Sequence, residues 1–241
     1  MPFSLKENEQ EAREALRAFW AGSSLGRPAL HMTAQRPDYV KTPWFGPGEE
    51  GESKEHDWLP AWHAWRMDEQ LRSTLFLAEA MPGTILRMGT LLITLAVLAG
   101  GDYEFHSNSG WIQVIPDLWE RPLPRFDPQS PAARGIEACL RGLAQTVGER
   151  GFVSPPVMLD ALTTLSAFRT PRQLCLDVVE RPEDVRRWSD ALTTLYIEAY
   201  EHYYRACRAL GYGDTCTWLA AMAEDRMEAV QCDFAVMLSP G

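Results

Sequence analysis

Asp233, Arg36, Arg87 and His31 are the side chains whose types and neighbours could do chemistry in this chain. Asp233, in the apolar run Cys232-Asp233-Phe234-Ala235-Val236, could hold a substrate or cap the next turn. Arg36 and Arg87 could each grip a ligand carboxylate or a local acid, because a guanidinium stays charged and offers a planar fork of donors. His31 suits packing and capping as well as proton transfer. His56 and His63 stand seven apart on a tryptophan-rich helical stretch and read as surface groups rather than metal ligands. Trp58, Trp62 and Trp65 on the same stretch read as packing residues. Five cysteines, Cys139, Cys175, Cys207, Cys216 and Cys232, form no Cys-x-x-Cys pair, and Cys216 and Cys232 read as small buried hydrophobes. Neither a Gly-x-Gly-x-x-Gly nor a Walker loop is present.

The composition, 46% hydrophobic and 23% charged over 241 residues, is that of a folded chain with enough material for a sizeable core. A net charge of −10 disfavours a sequence-independent grip on nucleic acid or anionic lipid, yet leaves room for a local basic pocket. The longest apolar run, Leu91 to Gly101, is interrupted by Thr94 and falls short of the roughly 20 residues that span a bilayer. Met1 to Lys6 lacks the apolar core of a signal peptide, so a reducing cytoplasm is the expected compartment.

The elements that must position those side chains alternate. Asn8 to Trp20 has helical spacing with Asn8 as N-cap, and Pro28 to Met32 reads as a short buried strand. Thr42 to Lys54 carries Pro43, Gly46, Pro47, Gly48 and Gly51 among glutamates and reads as a loop. Trp58 to Ala80 reads as one amphipathic helix with Pro60 in its first turn, followed by a strand from Thr84 to Met88. A helix over Thr90 to Ala99 and an extended stretch from Tyr103 to Trp111 come next. Ala132 to Val147 reads as a helix closed by Gly148, Gly151 to Val153 as a strand, and Leu159 to Phe168 as a short helix. Pro182, with Glu183 and Asp184 in the first turn, opens a helix of about eight turns that runs to Gly211. Thr215 to Leu219 and Cys232 to Val236 are the last strand candidates. Alternation without a hairpin signal such as Asn-Gly predicts a parallel sheet with helical crossovers, either a barrel or a doubly wound sheet.

Four segments, in order, resemble the uroporphyrinogen decarboxylase-like superfamily. They are Trp111-Ile112-Gln113-Val114-Ile115-Pro116-Asp117-Leu118-Trp119 with Phe126-Asp127-Pro128; Asp160-Ala161-Leu162 with Leu165, Arg169, Leu174 and Asp177; Arg181-Pro182-Glu183-Asp184-Val185; and Trp218-Leu219-Ala220 through Gln231-Cys232-Asp233-Phe234 to Ser239-Pro240. The resemblance implies an α/β fold, a TIM-type (β/α)8 barrel truncated after about strand six. It would span 1–241 as one incomplete domain with an N-terminal helical extension and a Pro/Gly-rich loop at about 42–57. In such barrels the site lies at the carboxyl ends of the strands. The implied catalytic residues are therefore Asp233, Asp160 and His31, and the implied substrate-binding residues are Arg36, Gln35, Arg87, Trp111, Asp117 and Trp218.

The implied function is a lyase- or methyltransferase-type enzyme acting on a tetrapyrrole, a corrinoid or a small methylated substrate, incomplete and inactive as the chain stands. A strict uroporphyrinogen decarboxylase and a non-catalytic binding module on the barrel scaffold are the alternatives. Against the strict form, His31-Met32-Thr33-Ala34-Gln35-Arg36-Pro37-Asp38-Tyr39 stands where that family carries Met-Arg-Gln-Ala-Gly-Arg-Tyr. No cofactor is expected in this chain, since the zinc ligands of the methyltransferase relatives belong to a later part of the barrel. The partners implied are a small-molecule, tetrapyrrole or corrinoid ligand and either a second copy of the chain or a corrinoid protein, with neither nucleic acid nor membrane.

Overall fold

The computed structural model describes residues 3–23, 25–89, 93–106, 109–219, 221–229 and 231–238. Thr90 at the expected helix start, Ala220, and Ser239-Pro240-Gly241 of the C-terminal motif lie outside them.

The N-terminal half alternates short elements: α1 (Glu9–Trp20), β1 (His31–Gln35), α2 (Lys54–Asp57), α3 (Pro60–Ser73), β2 (Thr74–Ala78), β3 (Gly83–Ile85), α4 (Thr94–Leu98), β4 (Tyr103–His106) and β5 (Ser109–Ile112). Long helices follow: α5 (Pro131–Val147), β6 (Phe152–Ser154), α6 (Ala161–Arg169), α7 (Pro171–Glu180), α8 (Pro182–Ala209), then β7 (Thr215–Cys216) and β8 (Met222–Ala223). Proline at the start of α3, α5, α7 and α8 costs nothing there, because the first helical N–H has no intrahelical partner. Ser130 caps α5, accepting from the Ala133 N–H at 3.2 Å, and Gly148 closes it at φ +51°, a left-handed conformation open to glycine.

The expected barrel is not what forms. About half of the chain is helical, and among the described residues every sheet has two strands. Three of the pairs, β1–β2, β4–β5 and β7–β8, are antiparallel, and β3–β6 is the parallel one. A (β/α)8 barrel needs each strand to lie parallel to the last across a helical crossover. Here β2 returns antiparallel along β1 and β5 folds directly back on β4, so no continuous parallel sheet is laid down. The helices pack on one another instead, α3 along α5, and α6 and α7 against α8.

Two large apolar cores result, with a smaller cluster of Ala12, Met81, Phe152 and Met222 beside them. Leu71, Leu86, Ile136, Leu140, Val153, Leu195 and Tyr203 join α3, α5, β6 and α8. Leu118, Leu165, Phe168, Leu174, Trp188 and Leu192 join α6, α7 and α8. Arg169, Leu174 and Asp177, which carried part of the resemblance, are scaffold: Leu174 is fully buried, and Arg169 Nε meets Asp177 Oδ2 at 2.7 Å while its guanidinium lies over Trp119.

Several local expectations also change. The helix expected over Trp58 to Ala80 stops at Ser73, and Thr74-Leu75-Phe76-Leu77-Ala78 becomes β2. The first strand is exposed at all five residues rather than buried, although it pairs antiparallel with β2. Cys232 to Val236, expected as a strand, turns as a 3-10 helix over Asp233–Met237. Asn8 does stand at the α1 N-cap position, but its side chain makes no cap bond and donates to the Ala78 carbonyl at 3.4 Å.

At the parallel pair the chain approaches itself closely. A Cβ on Gly151 would stand 1.8 Å from the Pro82 carbonyl oxygen, so only glycine lets β6 enter beside β3. β7 packs at the same place, the Cys216 N–H donating to Ser154 Oγ at 2.5 Å.

Candidate functional site

Beside β3, β6 and β7 lies a cavity of about 480 Å³, within the size range of small-molecule sites. One wall is a stripe of α3, in which His63, Arg66, Met67 and Gln70 recur at intervals of three and four and so share a face. β1 contributes His31 and Thr33, β2 contributes Thr74 and Phe76, and the end of β3 contributes Leu86 and Arg87. Phe152, Leu143, Met222 and Trp218 supply much of the apolar lining.

The charge of this lining is unlike that of the chain. Among the described residues no aspartate or glutamate lines the cavity, although the chain carries ten more acids than bases. His63 is buried, its Nε2 2.8 Å from the Asp57 carbonyl oxygen. A carbonyl only accepts, so Nε2 carries the hydrogen. Burial pushes the ring's pKa down to about 4, which keeps it neutral at pH 7. Burial and then Lys6 lower His31 as well. The positive charge of the lining is therefore carried by Arg66 and Arg87.

Arg66 Nη1 lies 2.5 Å from Glu52 Oε1. Arg87 makes no ion pair or hydrogen bond with any described residue; it is exposed at the cavity, and partial desolvation, then the charge of Arg66, lower its pKa. Thr217 adds a second unsatisfied group, a hydroxyl sealed from solvent with no hydrogen-bond partner among the described residues. Cys216 lies in the same wall, but burial pushes its thiol up to about 12, so it is not a thiolate nucleophile at neutral pH.

Behind this wall Asp57 is buried, accepting from the Tyr103 O–H at 2.9 Å and from the Gly89 N–H. Burial still raises it to about 6. Among the described residues no group of three or more His, Cys, Asp or Glu side chains could hold a metal ion. Nor is any helix of the described residues long and apolar enough to cross a membrane.

Of the nine residues expected from sequence, the structure brings His31, Arg87 and Trp218 to the cavity. Asp160 and Asp233 meet elsewhere, at the start of α6. Asp160 caps that helix, accepting from the Thr163 N–H at 2.9 Å, and the Asp233 N–H donates to Thr163 Oγ1 at 3.1 Å. Gln35 closes β1, and the Arg36 N–H donates to the Ser73 carbonyl at 2.7 Å. Trp111 projects to solvent from β5, and Asp117 pairs with Arg121 at 3.1 Å.

His63 and Arg66 were not among the nine. His56 and His63, expected at the surface, are both buried, at 3% and 5% exposure. His56 has its two ring nitrogens 2.6 and 2.8 Å from the Gly51 and Pro47 carbonyl oxygens and stacks on Trp62 with centroids 4.2 Å apart. The signal for the cavity stripe was the 63, 66, 67, 70 spacing, a helix face mixing polar and apolar types.

No family model matches the chain, and no curated protein and no solved structure matches it. The resemblance to decarboxylase-like proteins rests on the quoted residues alone.

Proposed function

We propose that the chain binds a small organic anion in the cavity between α3 and the β3–β6 pair. The ligand's carboxylate or comparable group meets Arg87, and its apolar body lies against Phe76, Leu86 and Phe152. One observation carries the reading: among the described residues two guanidinium groups and no carboxylate line a cavity of mixed polar and apolar surface in a chain of net charge −10. Arg87 is exposed at the cavity with no partner among the described residues, and an anion there can take charge-assisted, bidentate hydrogen bonds from its free guanidinium.

The lyase- or methyltransferase-type reading depended on barrel strand ends to gather its side chains, and the corrected fold withdraws that support. The test is isothermal titration of the chain with short carboxylates such as hexanoate. Binding that drops by about tenfold or more in Arg87→Gln supports the reading, on the scale of a lost charged hydrogen bond. Binding indifferent to Arg87 refutes it.

A further inference from the structure

The two guanidinium groups of the cavity are not equivalent. Arg66 is neutralised by Glu52, with Nη1 to Oε1 at 2.5 Å, whereas Arg87 meets no acid among the described residues. With His63 and His31 both shifted toward the neutral form, the lining offers one uncompensated positive charge.

Glu52 is held in place by the segment that carries it. The carbonyls of Pro47 and Gly51, before it, contact both ring nitrogens of His56, and the Trp44 indole N–H donates to the Pro47 carbonyl at 3.1 Å. Trp44 in turn packs edge-on against Trp62 of α3, with centroids 5.1 Å apart. The Glu52 side chain is 23% exposed, so it sits against the protein rather than trailing in solvent. This positioning matters more than the pair's own energy, since loosely exposed ion pairs contribute little.

Resting on the reading that the cavity binds anions, we infer that Glu52 is its charge selector and that the ligand is a singly charged organic anion, a monocarboxylate with an apolar body. A ligand of the same length with a second carboxylate would meet Arg66 already neutralised by Glu52, which pairs with it from outside the cavity lining. Taking Arg66 would strand the Glu52 carboxylate. This is selection by withholding a partner from the second charge, so that the wrong ligand leaves a carboxylate unpaired.

The probes are hexanoate and adipate, six-carbon chains with one and two carboxylates, titrated calorimetrically into the full chain. Wild type is expected to bind hexanoate at least tenfold more tightly than adipate. In Glu52→Gln, and again in Glu52→Ala, the ratio should move toward adipate by at least tenfold, with circular dichroism confirming that each variant folds. Adding Arg66→Gln to Glu52→Gln should remove that gain. A wild type that binds both probes equally overturns the inference without any variant, as does a ratio that ignores Glu52. Binding of neither probe to wild type overturns the anion reading itself, and the inference with it.

Discussion

Where α1 meets β7 and β8, Arg13 is surrounded by acids: Glu9 at 2.7 Å, Asp214 at 2.6 Å and Glu224 at 3.2 Å. In the cavity wall Arg87 has none among the described residues. The two environments shift the same group in opposite directions. Asp214 raises the pKa of Arg13, and desolvation lowers that of Arg87. Arg13 ties the first helix to the last strands and is satisfied by the fold. Arg87 has no such partner among the described residues, and the proposed anion would supply one. Residue type alone says nothing of this difference; the count of partners does.

The comparison breaks first at Arg13. Replacing it with glutamine strands Asp214 and Glu9, both mostly covered, and should cost about 2 to 3 kcal/mol in urea unfolding. A loss under about 1 kcal/mol would show that this edge behaves as open surface.

Asp57 supplies an effect of comparable size, through pH. Its folded pKa of about 6 lies above the ordinary 3.8, so the folded chain keeps a proton that the unfolded chain has already released. Stability should therefore fall as pH rises from about 4 to about 6, by on the order of 3 kcal/mol for a shift of this size. Asp57→Asn should flatten that stretch of a stability-versus-pH curve; an unchanged slope would assign it to another group.

A smaller effect belongs to Thr217. Without ligand, Thr217→Val removes an unsatisfied hydroxyl and should raise stability by about 1 kcal/mol in thermal melts. A loss instead would reveal a partner for the hydroxyl. Smallest of all is the stability effect at Arg87, where Arg87→Gln should change unfolding by less than about 0.5 kcal/mol while binding collapses. A large destabilisation would place Arg87 with Arg13 as scaffold.

The long elements were legible because their signals are redundant. In α8, Pro182, two acids in the first turn and apolar residues every three or four positions all agree. α5 likewise reads from its pattern and from Gly148. The short apolar runs carried no such agreement. Thr74 to Ala78 continues the helical count of α3 yet is rich in residues that suit a strand, and pairing with β1 decided it. α7, over Pro171–Glu180, passed unread, because a proline so soon after a helix can break the chain or open a new helix. Strand direction was illegible too, since antiparallel return depends on contacts far apart in sequence.

At the candidate site, Arg87 was visible as a charged residue behind an apolar run. His63 and Arg66 were not, because a helix stripe gains its meaning only when β3 and β6 stand opposite it. Asp233 attracted notice through a motif, and the fold gives it a turn to begin.

Gly151 sets the dimensions of all this without touching a ligand. The Pro82 carbonyl occupies the space its side chain would need, and from that contact β3 runs on to Arg87 while β6 runs on to Ser154, which holds Cys216. Both walls are thus hung from one joint, and a single methyl group there would act as a wedge. The gauge of the cavity is kept by the residue that has nothing to offer it.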